Sequence, residues 1–149
     1  MSKKVIAIDL GGTNFRVGVV NRGVIEKYIK FRTPKNKKDL LNLFVKSIKD
    51  FDSSDVKAIG ISSPGPLLDG VIKNPPNLPL KNFNLQRFIY KKFKKKVVVE
   101  NDANCVALSE YRLGCRKNNF FVLTLGTGIG GGVIINGSLY KGRGYASEP

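Results

Sequence analysis

The sequence predicts an α/β fold built on a mixed sheet, and three observations carry that prediction. Three β-like runs follow one another at the start, at 4–9, 15–20 and 24–32. Helix-like and strand-like segments then alternate as far as about residue 117. A new unit of strand, glycine turn, strand and hairpin opens at about Asn118 and repeats the opening of the chain in kind. Strands in succession, followed by alternating helix and strand, imply a sheet with both antiparallel and parallel neighbours.

The elements follow in order. Val5-Ile6-Ala7-Ile8 leads through Asp9 into the turn Gly11-Gly12-Thr13-Asn14, and Val17-Gly18-Val19-Val20 leaves it. Asn21-Arg22-Gly23 turns the chain into the third strand. Asp39 is expected to N-cap a helix, because Leu40, Leu41, Phe44, Val45 and Ile48 fall at helical spacing. A buried strand at 57–61 stops at Ser62-Ser63-Pro64-Gly65-Pro66, and 71–79 is expected to continue as loop. A second helix is predicted near Leu85 to Phe93, then a short strand from Val97 to Glu100. The third helix, Ala103 to Leu113, carries Val106, Ala107, Leu108 and Tyr111 as its apolar side and stops at Gly114. Beyond Asn118, Phe120 to Leu125 and Val133-Ile134-Ile135 are strands, and Asn136-Gly137 is a type I′ hairpin signal. A three-stranded sheet with no covering helix has open edges and an unburied face. The expected division is therefore 1–117 as one unit and 118–149 as the beginning of a second, incomplete one.

Composition narrows the class. A chain of 149 residues with 42% apolar content is long enough for a real core. Its apolar stretches are strand-sized, so no transmembrane helix and no membrane partner are expected. Asp9 interrupts the first apolar run after four residues, which argues against a secretory signal and for a cytoplasmic location. Cys105 and Cys115 are spaced unlike a metal motif, and there is no histidine, so these residues alone cannot build a zinc site. They read as free thiols in a reducing compartment. The net charge of +15 raises the question of nucleic acid. The densest cluster, Lys91-Lys92 and Lys94-Lys95-Lys96, ends a predicted helix, where cations complement the dipole. It lacks aromatic platforms, so no nucleic-acid partner is expected. The positive field can still steer anionic nucleotides.

The chemistry points to the glycine turns. Gly126, Gly128 and Gly131 formally satisfy G-x-G-x-x-G, but a dinucleotide loop must open a helix, and here β-branched residues follow. Strand–turn–strand glycine loops instead suit backbone N–H groups gathered into an anion nest. Asp9 beside the first nest is suited to Mg²⁺, directly or through water, while Thr13 and Thr127 can add hydroxyl donors. Either turn alone also reads as an ordinary glycine-rich hairpin. Between them Asn101-Asp102 ends a strand and opens a helix, where a helix N-terminus favours an ionised carboxylate. Such a carboxylate can act as a base or simply cap the helix, and position alone does not separate the two.

Five motifs in order resemble the ROK family of repressors, open reading frames and sugar kinases. They are Asp9-x-Gly11-Gly12-Thr13-x-x-Arg16, Ser62-Ser63-Pro64-Gly65-Pro66, Pro76-Asn77-Leu78-Pro79, Asn101-Asp102-Ala103-Asn104 and Gly126-Thr127-Gly128-Ile129-Gly130-Gly131-Gly132. The resemblance covers nearly the whole chain. It implies a two-lobed, ribonuclease H-like fold of the actin, hexokinase and Hsp70 superfamily. It also implies an ATP- and Mg²⁺-dependent hexose kinase, glucokinase-like, with Asp102 as catalytic base. Asp9, Gly11, Gly12, Thr13, Gly126, Thr127 and Gly128 would then bind phosphate, with Asp9 also serving the metal. Gly65, Asn77, Asn101, Asp102 and Glu148 would line the sugar site. A homo-oligomer in carbohydrate metabolism is expected.

Two departures qualify that expectation. The family continues past the Glu148-Pro149 position into Gly-His, a Cys-rich structural zinc motif and the adenosine site. The chain therefore reads as an N-terminal half, expected to need further sequence or a partner chain and to hold zinc only with that segment. The family's repressors carry a helix-turn-helix ahead of the first glycine turn, whereas here that turn begins by residue 9. A sugar- or nucleotide-binding module without catalysis, or a sugar-responsive regulator, is the alternative. Asp9 and Asp102 argue against loss of catalysis.

Overall fold

The computed structural model describes residues 4–126 and 128–142. Its elements are β1 (Lys4–Leu10), β2 (Asn14–Asn21), β3 (Val24–Arg32), α1 (Lys37–Phe51) and β4 (Val56–Ser63). Three two-residue strands follow: β5 (Leu67–Leu68), β6 (Val71–Ile72) and β7 (Phe83–Asn84). Next come α2 (Leu85–Phe93), β8 (Lys96–Asn101), α3 (Asp102–Leu113), β9 (Phe120–Leu125), β10 (Ile129–Ile135) and β11 (Ser138–Tyr140).

The principal sheet runs in the order β3-β2-β1-β4-β8. The first three strands form an antiparallel meander, and β4 and β8 add in parallel beside β1. This is the mixed sheet the strand order predicted. Strict alternation decides its faces: Ile6, Ile8 and Leu10 point inward with Phe15, Val17 and Val19. Against them pack Leu40, Phe44 and Ile48 of α1 and Leu85 and Ile89 of α2, forming one continuous core. Phe15 meets Phe44 edge-on at a centroid distance of 4.9 Å. Among the described residues no helix is long and apolar enough to cross a membrane.

Four expectations need correction. Helix α1 starts at Lys37, and its N-cap is Asn36, whose side chain accepts the Asp39 N–H; Asp39 lies in the first turn. Either short polar side chain can cap, and the two stand three residues apart, so spacing could not choose. The segment 71–79 is not all loop, because Val71–Ile72 pairs with Leu67–Leu68 and with Phe83–Asn84. The buried side of α3 is Ala103, Asn104 and Ala107, whereas Val106 is exposed.

The last correction concerns the antiparallel sheet β11-β10-β9, which does have a covering helix. A Cβ on Gly132 would stand 2.7 Å from the Ala103 carbonyl oxygen and 2.7 Å from the Ala107 Cβ, and one on Gly130 would stand 3.1 Å from the Ala103 Cβ. Glycine on the strand and alanine on the helix let α3 lie directly on β10. Among the described residues nothing covers the opposite face of that sheet, where Phe121, Leu123 and Leu125 are exposed.

Candidate active site

The parallel strands deliver their carboxyl ends to one place. Asp9 at the end of β1 stands in register with Ser62 of β4, Ser62 with Glu100 of β8, and Ser63 with Asn101. The crevice beyond such strand ends is where open α/β sheets bind ligands. Register places Asp9, Ser62 and Glu100 on the same face, the face that α3 flanks.

Asp9 is held from two sides. Arg16 Nη1 donates to Oδ2 at 2.7 Å, and Ser62 Oγ donates to Oδ1 at 3.0 Å. About half of the side chain remains exposed. Each carboxylate oxygen keeps a lone pair for a water or a cation. Arg16, already a strong base, is shifted further up by this bond.

At the strand-to-helix junction the cap is Asn101 rather than Asp102. Asn101 is the N-cap: its Oδ1 accepts the Asn104 N–H at 3.1 Å, and its Nδ2 donates to the Gly65 carbonyl at 3.4 Å. Asp102 is the first helical residue, and its exposed side chain accepts the neighbouring Ala103 N–H at Oδ1, 2.8 Å away. The capping role is filled by its neighbour. Partial burial is the largest influence on the Asp102 carboxyl and raises its pKa above 3.8; the Ala103 N–H opposes this, and the negative charge of Asp9 adds to it. Two carboxylates that feel one another across a crevice form a site for a cation or a proton.

Glu100 is a junction that sequence reading missed. Oε1 accepts the Asn101 N–H at 3.0 Å and Asn104 Nδ2 at 3.1 Å, while Lys141 pairs with Oε2 at 2.6 Å. No motif marks it, and the register of β8 beside β4 sets it in line with Ser62.

The remaining candidates fall into two groups. Gly12 is apposed to Asn77, since a Cβ there would stand 3.1 Å from the Asn77 Cβ. Gly65, at φ +84°, is seated against Pro75, where a Cβ would come to 2.8 Å of its Cα. Gly11, Gly12, Asn77, Gly65, Asn101, Asp102 and Asp9 are thus linked in one neighbourhood. Gly126 and Gly128 behave differently: a Cβ on either would meet nothing within 4 Å among the described residues. Gly132 lies over Ala103 and Ala107 and Gly130 over Ala103, so the amino-terminal end of β10 approaches the α3 N-terminus, where Asp102 stands. Internal packing does not explain these two glycines, which suits close approach of a ligand to backbone. Thr127 and Glu148 lie outside the described residues.

A site of this type fits a phosphorylated donor with Mg²⁺. Mg²⁺ is held by one or two carboxylates with water and phosphate oxygens rather than by a protein cage. Asp9 supplies such a carboxylate, and among the described residues no group of three or more acidic, cysteine or histidine ligands competes with it.

Comparison with known proteins shows the family. The ROK family model matches residues 5–148. The chain belongs to the ROK family. Among its ROK relatives, a glucokinase of Thermotoga maritima is 37% identical over 149 residues, covering 94% of this chain and 47% of the relative. A beta-glucoside kinase of Listeria innocua is 32% identical, covering 93% of this chain and 49% of the relative. A ROK family glucokinase from Streptomyces griseus, solved with glucose and AMPPNP, superposes with a TM-score of 0.86 at 33% identity. It covers 97% of this chain and 49% of that one. The fold is the mixed α/β, actin/hexokinase-like type of the ROK kinases. The chain spans about half the length of these relatives.

Proposed function

We propose that this chain is the catalytic-base half of an ATP-dependent hexose kinase of the ROK type, with glucose as the expected sugar. In this reading 1–117 forms one lobe, and 118 onward begins a second that the remaining half of the fold completes, in the cytoplasm. The observation that carries it is Asp102, freed from capping by Asn101, partly desolvated, and facing the crevice with Asp9.

The chain's residues divide the work. The sugar is oriented by Asn101, Asn77, Glu148 and the backbone at Gly65, because planar polar groups pair with hydroxyls and discriminate against sugars that leave them unpaired. Asp102 accepts the proton of the attacking hydroxyl as its oxygen bonds to the γ-phosphorus and the bond to ADP breaks. The N–H groups of Gly12 and Thr13 receive phosphate oxygens from one side and those of Thr127 and Gly128 from the other, while the Gly11 and Gly126 N–H groups close the two turns by bonding the Asn14 and Gly128 carbonyls. Asp9 would hold Mg²⁺ through water, and the cation would neutralise charge on the transferring group. Arg16 and Ser62 fix the Asp9 carboxylate for that purpose.

The test is a panel of hexoses with ATP and Mg²⁺, using the chain completed by the C-terminal half of the Thermotoga maritima relative, in cis or as a partner polypeptide. Phosphorylation of glucose above mannose, fructose and N-acetylated hexosamines is expected. A completed, folded protein that phosphorylates none of them removes the kinase reading.

A further inference from the structure

The first glycine turn does not hold its own shape. Gly11 N–H donates to the Asn14 carbonyl at 2.9 Å, which closes the turn but leaves the carbonyls of Gly11, Gly12 and Thr13 to find donors elsewhere. All three find them in one short segment, the connection between β3 and α1. Thr33 Oγ1 donates to the Gly11 carbonyl at 2.7 Å. Lys35 Nζ donates to the Gly12 carbonyl at 2.8 Å. Thr33 N–H donates to the Thr13 carbonyl at 2.9 Å. Thr33 is itself buried, at 3% exposure.

Planarity turns this into a statement about the other side of the turn. In a trans peptide the C=O and the following N–H lie in one plane and point in opposite directions. Fastening the Gly11 and Gly12 carbonyls to the β3–α1 connection therefore aims the Gly12 and Thr13 N–H groups away from it. Among the described residues, neither N–H has a hydrogen-bond partner. A pair of adjacent N–H groups, held by carbonyls that cannot rotate, is a preorganised anion nest.

We propose that Thr33 and Lys35 are positioning residues for phosphate binding: they hold the glycine turn so that its N–H groups face the phosphate chain of the donor. Neither touches the phosphate. The idea rests on the kinase reading for the identity of the donor, but the turn's preference for a phosphate chain can be measured without any sugar or turnover.

The experiment is calorimetric titration of the 149-residue chain with Mg²⁺-tripolyphosphate. Thr33→Val keeps the branched shape and the backbone N–H but removes the hydroxyl donor, and Thr33→Ser restores that donor. Lys35→Met removes the second clamp. Ile48→Val, in the core under α1, reproduces a modest loss of stability far from the turn. Thr33→Val and Lys35→Met should each weaken binding roughly three- to tenfold, the span of one net hydrogen bond. The double variant should weaken it further, while Thr33→Ser and Ile48→Val stay within twofold of the parent. Binding by Thr33→Val within 1.5-fold of the parent overturns the proposal. An Ile48→Val loss as large as that of Thr33→Val also overturns it, as does a parent chain that does not bind tripolyphosphate. If the series holds while the hexose panel fails, the positioning role stands and only the kinase reading falls.

Discussion

Asp102 and Cys105 sit three residues apart on α3 and share an environment, yet it prepares them for opposite behaviour. Burial, then the charges of Glu100, Asp102 and Asp9, pushes the Cys105 thiol up to about 12, so no thiolate is present at neutral pH. Cys115 is exposed. Iodoacetamide at pH 7.5 should therefore modify Cys115 and spare Cys105, as read by peptide mass spectrometry; equal labelling would mean that the α3 surface is open. For Asp102 the same kind of burial leaves a usable base. Asp102→Asn in the completed enzyme keeps shape, and Asn101 keeps the cap, so only proton acceptance is lost. Turnover should fall roughly 10²–10⁴-fold, the usual worth of a general base. A turnover within a few-fold of the parent would move the proton acceptor elsewhere in the crevice. The acid limb of the parent's pH–rate profile should lie above the ordinary aspartate value of 3.8, because the folded pKa is raised. Linkage gives the stability sign. A carboxyl whose folded pKa is raised favours the fold while protonated, and that contribution is lost as pH rises through the folded pKa. Asp102→Asn cannot ionise, so at neutral pH it should melt no lower than the parent, and any gap should close in acid.

At the scale of elements, the glycine run after β9 carries two separate functions that sequence alone reads as one. Gly130 and Gly132 are packing residues that let α3 lie on β10, whereas a Cβ on Gly126 or Gly128 would meet nothing within 4 Å among the described residues. Gly132→Ala should destabilise the chain by about 1–3 kcal/mol, since the added methyl meets backbone and a neighbouring Cβ. Gly126→Ala should leave the melting temperature unchanged. Thermal unfolding of both variants followed by circular dichroism decides it, and equal effects would mean that the turn and the strand are packed alike. The contrast also shows how far the sequence could be read. Alternation in Val5 to Leu10 placed β1 within a residue, and helical spacing in Leu40 to Ile48 found α1 with its start three residues late, because those signals are local. The cap of α1 was misassigned because Asn36 and Asp39 offer the same chemistry three residues apart. The partnerships of Asp9 with Ser62 and of Gly11 with Thr33 bridge 53 and 22 residues of sequence, so register had to supply them. The motifs already held Arg16 and Ser62, which orient Asp9, whereas Thr33, Lys35 and Glu100 lie outside every motif.

For the whole molecule, the deciding feature is apolar surface that the described residues do not cover. One face of the principal sheet is closed by α1 and α2, but the other carries Ala7, Gly18, Val20, Ile25, Tyr28, Gly60 and Val98 along a trough of about 510 Å³. Among the described residues α3 reaches its edge through Cys105 and Leu108. Tyr28, Ile25 and Val98 are roughly half exposed or more, and so are Phe121, Leu123 and Leu125 on the outer face of the second sheet. Parallel strands are ordinarily buried on both faces, and contiguous exposed apolar area promotes association. Relatives of about twice the length have as much chain again with which to cover such faces. The 149-residue chain alone should therefore self-associate with rising concentration and phosphorylate sugars poorly, with both properties reversing when the C-terminal half of a ROK relative is supplied. Sedimentation velocity across a concentration series, with and without that half, reads the first property; the hexose assay under the same conditions reads the second. A monodisperse 149-residue monomer with the turnover of the completed enzyme would mean that the uncovered faces are tolerated in water and that this half alone assembles the site.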